Sequence, residues 1–113
     1  MDAETKLYDI LNSEETPAYY FDSFLDVDNV PDNFYIFQNI TTYNMRADNK
    51  IIYETLVYDI YYYAVSPGGL RTIVKSKIKE LEENGIKCGA ISNIGKIDRR
   101  FGLTFTVYIT QKF

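Results

Sequence analysis

Residues 51–65 carry two interleaved stripes at strand spacing, and neither is polar. One stripe reads Ile51, Tyr53, Thr55, Val57, Asp59, Tyr61, Tyr63 and Val65; the other reads Ile52, Glu54, Leu56, Tyr58, Ile60, Tyr62 and Ala64. Successive side chains of a strand point to opposite faces. A strand with one wet face would therefore show one polar stripe. Here both stripes are apolar or aromatic with a single acid each, so both faces ask for cover. The remainder of the chain offers two short helices, enough for one face of a sheet this size. A face bearing Tyr61 and Tyr63, or one bearing Tyr58 and Tyr62, is then left as an aromatic patch. Monomers rarely leave a patch of several hundred Å² idle, and Tyr pairs a large apolar body with a polar end that suits interfaces. The plainer reading is that these tyrosines lie flat on a wet sheet and fill space. We take the interface as the working expectation.

The other segments supply the partners of that strand. Ala3, Leu7, Ile10 and Leu11 make a helical stripe over residues 3–12, and Pro17 bars any continuation past Thr16. A short strand is expected over 18–21, followed by an acidic loop over 22–33. Phe34 to Tyr43 is aromatic and β-branched and reads as a strand. Residues 44–49 carry turn chemistry and read as the connection to the long strand. Ser66 and Pro67 read as the cap and first turn of a helix with a Leu70, Ile73, Val74, Ile78, Leu81 stripe. Asn84-Gly85 ends it, with Ile86 placed to pack back on the last turn. A weaker strand is expected over 86–92 and a polar connection over 93–100. Phe101, Leu103, Phe105, Val107 and Ile109 then alternate with Gly102, Thr104, Thr106, Tyr108 and Thr110 as a clear strand. The sum is one α+β domain over 1–113, with a mainly antiparallel twisted sheet of four to five strands and two helices packed on one face. The hand-over from the long strand to the second helix also allows one parallel pairing.

Composition narrows the function. The 113 residues include no His, a single Cys and a formal net charge of -4. Without His the usual near-neutral proton shuttle and commonest transition-metal ligand are missing. Cys88 has no His to act as its base and reads as a half-buried strand residue. Gly68-Gly69 lacks the spacing and the Lys-Ser/Thr of a phosphate loop. Asp26, Asp28 and Asp32 begin like a calcium loop, but the turn glycine and the closing Glu are missing, so a solvated acidic loop is expected. No catalytic residue, cofactor or metal is expected, and the chain reads as a non-enzyme. The acidic amino-terminal residues lack a secretory pattern, so Asn39-Ile40-Thr41 reads as a chance acceptor motif in a protein of a reducing cytoplasm. No membrane contact is expected. An aromatic sheet that binds nucleic acid or a small ligand is the alternative function, but the acidic total offers no continuous basic stripe.

Several segments together resemble the small tail-completion proteins of long-tailed phages and prophages. They are Ala47-Asp48-Asn49-Lys50 leading into Ile51-Ile52-Tyr53-Glu54, then Tyr58-Asp59-Ile60-Tyr61-Tyr62, the charged helix ending Leu81-Glu82-Glu83-Asn84-Gly85-Ile86, and Phe105-Thr106-Val107-Tyr108. The resemblance implies a structural virion protein: a tail terminator, or head-to-tail joining protein, that closes as a ring, typically a hexamer, on the tail tube. Its implied partners are copies of itself, the tail tube protein and the head connector protein, with DNA only as passing cargo. Its implied place is the head-tail junction of the virion, reached from the host cytoplasm. On this reading Tyr58, Tyr61, Tyr62 and Tyr63 supply one subunit contact. The polar connections at Arg46, Asp48 and Lys50, and at Lys96, Arg99 and Arg100, meet tube or connector, and Thr104, Thr106 and Thr110 offer a wet face.

Overall fold

The computed structural model describes residues 2–21 and 30–113. Helix α1, Ala3–Leu11, begins where Asp2 caps it: an Asp2 carboxylate oxygen accepts the Thr5 N–H at 2.8 Å. That hydrogen bond holds the exposed Asp2 carboxyl below its ordinary value. Strand β1, Ala18–Tyr20, follows and pairs in parallel with β2, Asn33–Ala47. Strand β3, Lys50–Ala64, returns antiparallel to β2 along its whole length. Helix α2, Leu70–Glu83, is followed by β4, Lys87–Cys88, then β5, Ser92–Ile97, and β6, Arg100–Lys112. The sheet order is β1-β2-β3-β6-β4, with β5 beside β6. The fold is therefore α+β, with a mixed, mostly antiparallel six-stranded sheet. Among the described residues, no helix is long and apolar enough to cross a membrane.

Four segments depart from the sequence reading. Residues 44–47 extend β2, and the reversal is confined to Asp48 and Asn49, both with positive φ (51° and 63°). A two-residue turn of that hand matches the twist of the strands it joins. Asp98 and Arg99 (φ 45° and 67°) make the same kind of reversal, so 92–97 is a strand rather than a polar connection. Strand β4 is only two residues long, where a strand over 86–92 was expected. The residue preceding α2 is Gly69 in the left-handed conformation, with no side-chain cap, so Ser66 does not cap this helix.

The parallel pairing is also placed elsewhere. Strands β3 and β4 are both antiparallel to β6, so they share a direction, but β6 lies between them. The β3–α2–β4 unit is thus split, and among the described strands the parallel pair is β1 with β2. By contrast, the end of α2 follows the sequence reading. Gly85 N–H donates to the Glu82 carbonyl and Ile86 N–H to the Leu81 carbonyl, each at 3.0 Å, and Ile86 is buried.

Register assigns the long strand's two stripes. Tyr35 faces Tyr62 and Phe37 faces Ile60, while Leu103, Phe105 and Val107 face Tyr62, Ile60 and Tyr58. These residues share one buried cluster with Ala3, Leu7 and Leu11 of α1 and Val74 and Leu81 of α2. Each large apolar side chain in it contributes roughly 1.5–3 kcal/mol before entropy is counted. Two lysines tie the helices together: Lys77 Nζ donates to the Ile10 carbonyl at 2.9 Å, and Lys6 Nζ to the Asn84 carbonyl at 2.7 Å.

Gly102 faces Tyr63 across the ladder, and a Cβ there would lie 3.0 Å from the Tyr63 ring and 3.2 Å from the Ile94 side chain. Gly102→Ala should therefore push the ring aside and lower stability by about 1–3 kcal/mol. A urea midpoint unchanged from wild type would contradict that close approach.

Candidate assembly surface

The second sheet face is built from the other stripe. Counting along the registers, it carries Phe34, Ile36 and Gln38 of β2, then, past a bulge at Asn39/Thr41, residues 41, 43 and 45. The Asn39 amide holds that bulge, donating to the carbonyls of Thr41 (3.2 Å) and Val57 (3.1 Å). From β3 come Tyr53, Thr55, Val57, Asp59, Tyr61 and Tyr63, and from β6 the even residues 102–110.

At one end this face is a stack. The Phe34 and Tyr63 rings are parallel-stacked at 5.3 Å, and Tyr61 stacks on Tyr63 at 6.5 Å. Asp59 accepts a hydrogen bond from the Thr106 hydroxyl at 3.1 Å, and the Tyr61 hydroxyl lies 3.5 Å from its other oxygen. Burial, with Asp59 beside it, raises the pKa of Tyr61; burial, then the neighbouring Tyr61, raises that of Tyr63. The Arg100 guanidinium lies over Phe34 at 5.6 Å and donates to the Pro31 carbonyl at 3.0 Å. Tyr61 and Tyr63 are half-buried, and Phe34 is buried.

Toward the other end the face opens. Strand β6 accompanies β3 only as far as Tyr53, so the last stretch of β2 and β3 projects as a two-stranded arm. At its base, where β6 still pairs with β3, Tyr43 is 63 % exposed, Met45 61 % and Tyr53 40 %. Together with Asn44, Thr55 and Thr110 they line an open hollow of about 460 Å³. The Thr55 and Thr110 hydroxyls bond each other at 2.9 Å on its floor. Tyr108, exposed on the same face, continues the surface toward β4.

The structure sorts the residues expected at an interface. Tyr58 and Tyr62 are core residues, 2 % and 1 % exposed, and leave that set. Their stripe is the one packed with helix side chains. The Tyr58 hydroxyl donates to a Glu4 carboxylate oxygen of α1 at 2.8 Å. Burial, aided by Glu4, pushes the Tyr58 hydroxyl far above its ordinary pKa. Arg100 is half-buried and committed to the Val30 and Pro31 carbonyls, so it acts as a tie within the subunit. Lys96 is exposed, with its amine 5.7 Å from the centre of the Phe101 ring, and Arg99 is exposed in its turn. Arg46, Asp48 and Lys50 are exposed at the arm tip.

These two charged groups do not meet. Phe101 pairs with Ala64 and Lys112 with Tyr53, so the groups lie toward opposite ends of β3, in a molecule 52 Å long. Sequence reasoning missed Tyr43, Met45 and Tyr108. The first two lie just before Asp48-Asn49, whose fitness for a two-residue reversal was the available signal.

Cys88 is half-buried beside the Ile86 carbonyl (3.8 Å). Burial, with Glu82 nearby, pushes its thiol up to about 11. Asp32 is exposed, whereas Asp26 and Asp28 lie outside the described residues. Among the described residues, no three acidic or Cys side chains gather as a metal-binding group. Thr104 spends its hydroxyl on the Ile60 carbonyl at 2.9 Å, so two of the three threonines of the expected wet face, Thr104 and Thr106, bond toward β3 and are half-buried.

Two measurements check this sorting. Tyr62→Ser should cost about 3–5 kcal/mol in urea unfolding, against about 1 kcal/mol or less for Tyr61→Ser; equal losses would contradict it. Thiol labelling of Cys88 should stay slow at neutral pH and rise toward a midpoint near pH 11. Because the folded state holds this proton more tightly, its contribution to stability is complete at lower pH and is lost as pH rises from 9 toward 11. No protein-family model and no curated protein matches the chain.

Proposed function

We propose that this chain is a structural virion protein that acts by assembly. Copies close as a ring on the end of a phage tail tube, stop its growth and join the tail to the head connector. The observation that carries this reading is the arm. At its base Tyr43, Met45 and Tyr53 are exposed on one face, level with the last β3–β6 pairs, Thr55–Thr110 and Tyr53–Lys112. An isolated two-stranded ribbon is marginal in water, so an arm of this kind gains from a neighbour. The ordered resemblance to tail-completion proteins supplies the class of neighbour.

A cyclic ring needs two different patches on each subunit. The open sheet face supplies one of them. The charged groups at opposite ends suit docking in two directions: Arg46, Asp48 and Lys50 toward one partner, Lys96 and Arg99 toward the other. DNA passes through such a ring as cargo, and the neutral threonines of β6 give it little to hold.

Mass measurement in solution, with and without purified tail tubes, tests the reading. Wild-type chain should form a closed oligomer on the tubes, and a chain that stays monomeric beside them overturns the proposal. Tyr43→Ser with Tyr53→Ser should weaken association while leaving a folded monomer. Arg99→Glu should impair docking more than it changes the thermal midpoint.

A further inference from the structure

Among the described strands, the sheet has two unpaired edge stretches, and they lie at the same level. On one side, β1 covers β2 only at Tyr35–Phe37, and no described strand pairs with the outer edge of 38–47. On the other side, β5 and β4 cover β6 up to Tyr108, and no described strand pairs with the outer edge of 109–112. The registers align these stretches through β3: Tyr43 and Thr110 share Thr55, Asn44 and Gln111 share Glu54, and Met45 and Lys112 share Tyr53.

The main-chain groups are aimed correctly. Tyr35 N–H leaves β2 away from β3, to the Pro17 carbonyl at 2.9 Å. Stepping along the register past the bulge puts the N–H groups of Thr42 and Asn44 on that same outer side. The Thr106 carbonyl leaves β6 outward, to Gly89 N–H at 2.7 Å, and two-residue steps carry that direction to Thr110 and Lys112.

Exposed edges in soluble proteins are commonly guarded by charge, proline or short length. Residues 38–45 read Gln-Asn-Ile-Thr-Thr-Tyr-Asn-Met, with no charge, no Pro and no Gly over roughly 25 Å of strand. Only the bulge interrupts them. Residues 109–112 add a single charge, Lys112. Joining the two edges sets no like charges against each other, although the whole chain carries a net charge of -4.

We infer that a second copy of this chain adds its β6 end, residues 109–112, as a parallel strand on the outer edge of β2, residues 38–45, and that repetition of this head-to-tail contact closes the arms into one continuous sheet. Both strands are antiparallel to β3, so within a subunit they run the same way. A rotation about an axis along the arms preserves that direction, which makes the new pairing parallel. Each subunit uses one edge of each kind, so a closed ring leaves no edge over at this level. The inference rests on the ring reading above and specifies its contact.

Paired cysteines test it. In a Cys88→Ala background, Tyr43→Cys and Thr110→Cys are prepared as separate single variants, so that no chain carries both thiols, and are incubated with tail tubes and treated with a short bis-maleimide. An equal mixture of the two should give a covalent dimer, and each variant alone should stay monomeric on a denaturing gel. A dimer from Tyr43→Cys alone indicates a twofold contact and overturns the head-to-tail pairing. Assembly by mass without any cross-linked dimer from the mixture places the contact elsewhere, overturning this inference while leaving the ring reading intact. Failure of every form, wild type included, to assemble removes both. As a second readout, Thr42→Pro removes an outward donor without touching the β2–β3 ladder. It should raise the concentration needed for half-assembly by roughly tenfold or more. Thr42→Lys serves the same purpose if the proline variant does not fold; wild-type assembly by either folded variant counts against the inference.

Discussion

Strand β3 is paired along nearly all of both edges, with β2 on one side and β6 on the other, and most other features follow from that placement. A central strand loses its backbone groups to its neighbours and must satisfy two faces with side chains alone. Its even-numbered stripe does so with Tyr58, Ile60 and Tyr62, which meet the helices and the matching residues of β2 and β6 in one buried cluster. Among the described residues, its odd-numbered stripe meets other sheet residues by stacking and hydrogen bonding, as in the Phe34–Tyr63–Tyr61 series and the Asp59–Thr106 contact. The length of β3 then makes the arm. Beyond Tyr53 its only remaining partner is β2, apart from a last bond from Phe113 N–H to the Ile52 carbonyl at 3.0 Å.

This arrangement makes the two ends of the molecule differ. The end near Arg100 is tied down: the guanidinium crosses Phe34 and binds the Val30 and Pro31 carbonyls. The arm end is open on its aromatic face and along two strand edges. Exposure rises from the half-buried Tyr61 and Tyr63 to Tyr43 at the base of the arm. An interface placed at the arm therefore draws little on the core, and its residues tolerate change where Tyr58 and Tyr62 do not.

The elements most legible in the sequence were those whose signals are local. The stripe of α1, the Asn84-Gly85-Ile86 ending of α2 and the alternation of β6 are all patterns carried within a single segment. Residues 44–47 and 93–97 were read as connections because Asn, Asp, Gly and Lys weigh toward turns. In the molecule, hydrogen bonds to β3 and β6 override that weak local preference. The reversals shrank to Asp48-Asn49 and Asp98-Arg99, where four residues accept positive φ. Ser66 and Pro67 looked like a helix start, yet the backbone chose Gly69, whose left-handed conformation needs no side-chain cap.

The sequence by itself determined that the long strand has two apolar or aromatic faces, each with a tyrosine pair. Period-two patterning is a property of the chain alone, and it survives any fold that keeps the strand. Which pair is buried was a tertiary decision. Nothing local distinguishes Tyr58 and Tyr62 from Tyr61 and Tyr63; the choice was made when Glu4 of α1 met the Tyr58 hydroxyl and Tyr35 came to lie opposite Tyr62. The arm and its open edges were likewise decided only by register, because the β3–β6 ladder ends at Tyr53–Lys112, before β2 and β3 reach their turn.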